Sequence, residues 1–124
     1  MGKSSRVIAI LSSLVIRPAL HQAPANAKPF LYMSSYDYSG SYLTCIDNAE
    51  KVLRSHGFSR ELKSEKDADS RSAMVYAWHV DESATADIRC YQKEGVTLLG
   101  VAGLDNETTY DFYQKLKGTS KNPR

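Results

Sequence analysis

Residues 84–103 constrain the fold more than any other segment, because they have the pattern of a β-hairpin that carries a cysteine. In the first half, alternate residues up to Cys90 are apolar, which predicts a strand with one buried face that includes Cys90. Glu94-Gly95 predicts a tight turn. The apolar run 96–102 then predicts a strand inside a sheet, so this hairpin is expected near the middle of the fold.

The first 27 residues have the three-part layout of a secretory signal peptide. Lys3 and Arg6 precede about ten mostly apolar residues. Ala25-Asn26-Ala27 then places small residues at the two positions that an export peptidase recognises before its cleavage site. We expect cleavage after Ala27, with Ala23-Pro24-Ala25 as a second cutting site; a buried helix or a short anchor is the alternative. About ten apolar residues cover half a bilayer core as a helix, so no permanent membrane span is expected.

Cleavage would change the sign of the net charge. The whole chain has 16 Lys and Arg against 14 Asp and Glu, a formal net charge of +2. Residues 1–27 hold three basic residues (Lys3, Arg6 and Arg17) and no acidic one, which leaves 13 basic and 14 acidic residues and a net charge of −1. Binding to nucleic-acid phosphates needs a clustered positive excess. We therefore expect no nucleic-acid partner.

Cys45 and Cys90 are the 2 cysteines of the chain, and both follow the predicted signal peptide. In an exported protein such a pair predicts one disulfide. Closing a loop of this length would stabilise the fold by about 4 kcal/mol in the chain-entropy model. Two buried free thiols are the alternative. A disulfide agrees with a periplasmic or secreted location.

The remaining patterns predict the other elements. We expect a first strand that ends at residue 35, followed by a helix over 42–56 with Ser41 as its N-cap and Cys45 on its apolar stripe. Short strands are expected over 58–62 and 73–80. A last helix is expected over 107–117, with Gly118 as its end. Gly57 is expected to end the first helix. The polar run 63–72 predicts an exposed loop or a hairpin connection.

Short connections between consecutive strands require antiparallel pairing. We therefore predict an α+β fold: a two-layer sandwich with an antiparallel sheet of four to five strands, two helices on one face, and the order β-α-β-β-β-β-α. The single domain is expected over residues 28–118, followed by a disordered tail over 119–124. The predicted disulfide would join the first helix to a central strand.

Tyrosine is the feature of the composition that indicates a binding surface. All 8 tyrosines follow residue 27, and Tyr36, Tyr38 and Tyr42 cluster around the loop before the first helix. Tyrosine offers a large contact area and a polar tip at low entropic cost. Backbone N–H groups around Ser39 and Ser41 can hold an anion. We predict a binding site at these five residues; alternatively, the rings cover the edge of the core.

Catalytic patterns are weak in this sequence. His79 and Asp81 lie two residues apart near a strand end and form a candidate acid–base pair or metal-ligand pair, with a solvated polar turn as the alternative. His56 lies at a helix C-terminus, where the protonated form is expected to be favoured. The sequence has no nucleophile elbow, phosphate loop or dinucleotide fingerprint. We expect neither a cofactor nor a metal.

These patterns together predict a small exported domain that is stabilised by a disulfide. We expect a non-catalytic module that binds an unknown protein or small ligand. The alternative is a small hydrolase or other enzyme that uses the acidic and histidine groups near His79 and Asp81.

Overall fold

The structure is a computed structural model that describes residues 28–121. The elements are β1 (Phe30–Asp37), α1 (Tyr42–Ser55), β2 (Phe58–Asp67), β3 (Ser72–His79), β4 (Ala84–Tyr91), β5 (Val96–Gly103) and α2 (Asn106–Lys121). Their order, β-α-β-β-β-β-α, is the predicted one. The predicted signal peptide lies outside the described residues.

The five strands form one sheet in the order β1-β5-β4-β3-β2, and every neighbouring pair is antiparallel. Strands β2 to β5 follow one another through short turns. Helix α1 carries the chain from β1 at one edge to β2 at the other, packing on β2, β3 and β4, while α2 packs on β1 and β5. The predicted two-layer α+β sandwich with both helices on one face is confirmed, with five strands.

Alternation of apolar and polar residues decides which face of the sheet is buried. Strands β3 and β4 bury every second residue against the helices, and the residues between them face the uncovered side. The side chains that α1 buries recur at the three- and four-residue spacing of an amphipathic helix. They are Cys45, Ile46, Ala49, Val52 and Leu53.

Helix α1 begins and ends at the predicted signals. The Ser41 hydroxyl accepts a hydrogen bond from the Thr44 N–H at 3.1 Å, as an N-cap does. Gly57, just beyond the helix, has φ +84, which favours glycine. A Cβ at Gly57 would also lie only 2.5 Å from His79 Nε2, so a side chain there would displace the histidine ring.

The predicted disulfide is present between Cys45 and Cys90, whose Cα atoms are 6.2 Å apart. It joins the buried stripe of α1 to the buried face of β4. The bridge closes a separation of 45 residues, for which the chain-entropy model gives about 4 kcal/mol of stabilisation. That is a large share of the net stability of a small domain.

Strand β2 is longer than the sequence pattern predicts. It runs to Asp67, so the loop prediction for residues 63–72 is wrong for 63–67. It is also wrong for Ser72, which begins β3; the hairpin connection occupies 68–71. The reason is that β2 is an edge strand, which in the described chain pairs with β3 alone, so exposed polar residues can complete it. Residues 63–67 are exposed on both faces of the sheet, so the strand carries no alternation there.

Two other element ends differ from prediction by two or more residues. Strand β1 continues to Asp37, and α2 continues past Gly118 to Lys121. Gly118 does not have the positive φ of a helix-ending glycine. The predicted disorder is therefore wrong for 119–121, and residues 122–124 lie outside the described residues. Neither described helix is long and apolar enough to cross a membrane.

Candidate functional site

A cavity of about 170 Å³ lies between α1, the end of α2 and the buried face of the sheet. We call it the tyrosine cavity. Its lining combines aromatic, aliphatic and small polar side chains from both helices and three strands. The lining residues are Tyr36, Asp37, Tyr38, Cys45, Asn48, Ala49, Val52, Ile88, Thr97 and Ser120.

The aliphatic part of the lining is held in place by the disulfide. Ala49 and Val52 come from α1 and Ile88 comes from β4, the two elements that the disulfide joins. Cys45 itself lines the cavity, and its Sγ lies 3.6 Å from Thr97 Oγ1 on β5. The covalent bond therefore fixes the separation of helix and sheet where the cavity forms.

Tyr36 is the partly buried phenol of the cavity. Burial raises its pKa above the ordinary value, and this outweighs the opposite influence of the nearby Ser120 hydroxyl. The phenol is thus neutral at neutral pH and can both donate and accept a hydrogen bond. Ser120 Oγ is itself buried and makes no well-formed hydrogen bond within the part of the chain that the structure describes.

Tyr38 is fixed by the loop that precedes α1. Its hydroxyl donates to the Ser41 carbonyl at 3.3 Å, and its backbone N–H donates to the Gly95 carbonyl at 2.9 Å. Gly40 lies under the ring, since a Cβ there would be 2.6 Å from Tyr38 Cζ. This loop therefore places one wall of the cavity.

The structure brings together only two of the five residues predicted to bind, Tyr36 and Tyr38. Ser41 instead caps α1. The Tyr42 side chain packs against the core, and its backbone N–H donates to Gln92 Oε1 at 3.0 Å. Ser39 is exposed. None of these three lines the cavity.

Four polar lining residues were not predicted to bind: Asp37, Asn48, Thr97 and Ser120. Asn48 lies three residues after Cys45 and next to Ala49, at the margin of the apolar stripe, and that position was an available signal. Ser120 falls in the segment predicted to be a disordered tail. No local pattern marks it, because α2 brings it to the cavity through tertiary packing.

The contacts of His79 indicate a structural role for its side chain. Its Nδ1 accepts hydrogen bonds from the backbone N–H groups of Asp81 and Glu82, each at 3.1 Å. The ring packs against Phe58 and Phe112, with centroid distances of 5.0 and 4.5 Å. These contacts make Nδ1 unavailable as a base or metal ligand. Across residues 28–121, no group of three or more His, Cys, Asp or Glu side chains is arranged to hold a metal ion.

His56 differs from its expected electrostatic state. The helix C-terminus was expected to favour its protonated form, but its pKa is lowered. Burial is the main cause, and the positive charge of Lys115 adds to it. Thr119 Oγ1 donates to the Lys115 carbonyl at 2.9 Å, so it accepts from His56 Nε2–H at 3.2 Å. His56 thus links the end of α1 to the end of α2.

Comparison with known proteins gives no match to a protein-family model and no significant similarity to a curated protein.

Proposed function

We propose that the protein is an exported, non-catalytic binding module that holds a small, neutral, ring-bearing ligand in the tyrosine cavity. The observation that carries this proposal is the cavity itself, with apolar walls and a few polar groups converging on one space. That combination is typical of ligand sites, in which apolar walls supply affinity and the polar groups fix orientation.

The size of the cavity limits the ligand. Its volume of about 170 Å³ is close to that of an apolar protein cavity of about 150 Å³ that binds benzene. Sites for drug-sized molecules are larger, about 300 Å³ or more. A single six-membered ring with one small substituent therefore fits, whether it belongs to a free molecule or to the side chain of a partner protein.

The lining charges favour a neutral ligand. Among the lining residues whose side chains the structure describes, Asp37 is the only charged one, and it is exposed; none of them is a Lys or an Arg. An anion would lose hydration on entry without gaining a counter-charge. The neutral phenol of Tyr36 and the hydroxyl of Ser120 are instead suited to a ligand hydroxyl or carbonyl.

Export to the periplasm or to the outside of the cell is part of the same proposal. The layout of residues 1–27 supports it, with a basic start, an apolar run and small residues before the expected cut. The disulfide agrees with an oxidising compartment.

Phenol and benzoate are matched probes for the cavity, since they differ mainly in charge at neutral pH. We expect phenol to shift the amide NMR signals of Tyr36, Ala49 and Thr97 in a saturable way. Benzoate should bind at least about ten-fold more weakly, because its carboxylate would be desolvated without a cation.

Ala49→Leu tests whether these shifts come from the cavity. The larger side chain would fill the space beside Val52 and should weaken phenol binding at least about ten-fold. Ala102→Leu adds the same bulk at a half-buried position outside the cavity and serves as the control. The proposal is wrong if phenol gives no saturable shifts, or if both variants bind it as the wild type does.

A further inference from the structure

Strand β1 is a sheet edge with unused backbone hydrogen-bonding groups. In the described part of the chain it pairs with β5 alone. Tyr38 N–H donates to the Gly95 carbonyl, and the register is regular, so the even-numbered residues of β1 direct their backbone groups toward β5. The N–H and C=O groups of Leu31, Met33, Ser35 and Asp37 therefore point away from the sheet.

The opposite edge is built differently. Strand β2 has two register shifts and a residue with positive φ, Glu61 at +53. It also carries a run of exposed charges over 63–67. Bulges and charges are the usual means by which proteins prevent edge-to-edge association. Strand β1 has no bulge, because its eight pairs with β5 follow without a register shift. It carries one charged residue, Asp37, at its end.

Exposed apolar side chains are concentrated at the β1 edge. Three of the large hydrophobic residues that are exposed in the described chain lie on this strand: Phe30 at 43%, Leu31 at 62% and Met33 at 63%. A fourth, Tyr110 on α2, contacts Tyr32 with ring centroids 5.2 Å apart. Regular backbone and apolar side chains together make β1 suitable for pairing with another strand.

We propose that β1 pairs with β1 of a second copy of this chain, antiparallel about a twofold axis through Met33, to form a ten-stranded sheet. Charge favours a second copy as the partner, because Lys28 precedes the strand and Asp37 ends it. Antiparallel self-pairing brings Lys28 of each copy close to the partner's Asp37. It also places Leu31 opposite the partner's Ser35, so their outward N–H and C=O groups pair.

Helix α2 fits the same arrangement. It packs on β1 and β5, the strands nearest to the proposed pairing edge. A twofold axis perpendicular to the sheet would keep the helices of both copies on the same face. The two copies of α2 would then face each other beside the new strand pair, and a helix–helix contact could add to the strand pairing.

Charge substitutions at Met33 test both the dimer and its register by sedimentation equilibrium. The wild-type protein, as purified from cells, should be a dimer. Met33→Lys and Met33→Glu should each weaken association at least about ten-fold, because like charges would face each other across the axis. Mixing the two variants should restore a dimer. Leu43→Lys, at a residue of α1 that is 45% exposed, is the control and should remain dimeric.

A monomeric wild-type protein would overturn the proposal, as would dimerisation of the separate Met33 variants. Failure of the mixed variants to associate would overturn the register. Ser35→Pro provides an independent measurement, because it removes an outward N–H without touching the ladder to β5. This variant should also be monomeric with unchanged circular dichroism. A folded Ser35→Pro dimer would argue against pairing through β1.

Discussion

At the scale of single residues, the two histidines of the described chain serve as hydrogen-bonding links between elements. His79 Nδ1 accepts from two backbone N–H groups of the turn after β3, which fixes its proton on Nε2. His56 Nε2 donates to Thr119 and ties α1 to α2. The sequence indicated that both lie at element ends, but their partners come from tertiary packing and a turn geometry that spacing alone does not specify.

His56 gives a pH prediction. Because its folded-state pKa is lowered, the unfolded chain binds more protons as the pH falls through the ordinary histidine value. The stabilisation is therefore complete above the unfolded-state pKa and is lost as the pH falls toward the folded-state pKa. We expect His56→Gln, which keeps a donor toward Thr119, to reduce the fall in unfolding free energy between about pH 7.5 and about pH 5.5.

Urea denaturation at several pH values measures that slope, and an NMR titration of the His56 ring gives the pKa directly. Lys115→Gln is the control, since removal of this positive charge should raise the midpoint for His56. A wild-type midpoint at or above the ordinary histidine value would contradict the proposed environment.

At the scale of elements, local signals predicted α1 better than β2 or α2. Ser41 and Gly57 mark the ends of α1, and their effects are local: a hydroxyl within reach of an N–H, and a backbone that needs positive φ. Strand β2 gave no such signal because its last five residues are exposed on both faces. Gly118 misled the prediction of α2, since the helix passes through it without a change of conformation.

The Ser41 cap leads to a stability prediction that also separates capping from binding. Ser41→Ala removes the acceptor of the Thr44 N–H and should lower the unfolding free energy by about 1 kcal/mol. Phenol binding should not change, because Ser41 does not line the tyrosine cavity. Chemical denaturation and the NMR titration measure the two effects.

Ser39→Ala is the matched control, because this serine is exposed and caps no helix. Its unfolding free energy should stay within about 0.5 kcal/mol of the wild-type value. Equal losses in the two variants would show that the Ser41 hydroxyl has no special role. Loss of phenol binding in Ser41→Ala, but not in Ser39→Ala, would show that Ser41 takes part in binding.

At the scale of the whole molecule, the disulfide connects the fold to the candidate site. It joins the two layers and lies in the lining of the tyrosine cavity. The layers and the Cys45–Cys90 pair could be predicted, because periodicity places both cysteines on buried faces. Of the cavity lining, Tyr36 and Tyr38 were predicted as binding residues and Cys45 as a buried one; Ser120 could not be predicted, because it reaches the cavity only through the packing of α2.

We propose that this chain is exported and trimmed and that the Cys45–Cys90 disulfide then fixes α1 to the sheet. Intact-mass analysis of protein recovered from outside the cytoplasm, alkylated without prior reduction, tests it most directly. We expect a chain that begins at Lys28, or at Asn26 if the second cutting site is used, with no alkyl group on either cysteine. The full 124-residue mass with both cysteines alkylated would contradict it.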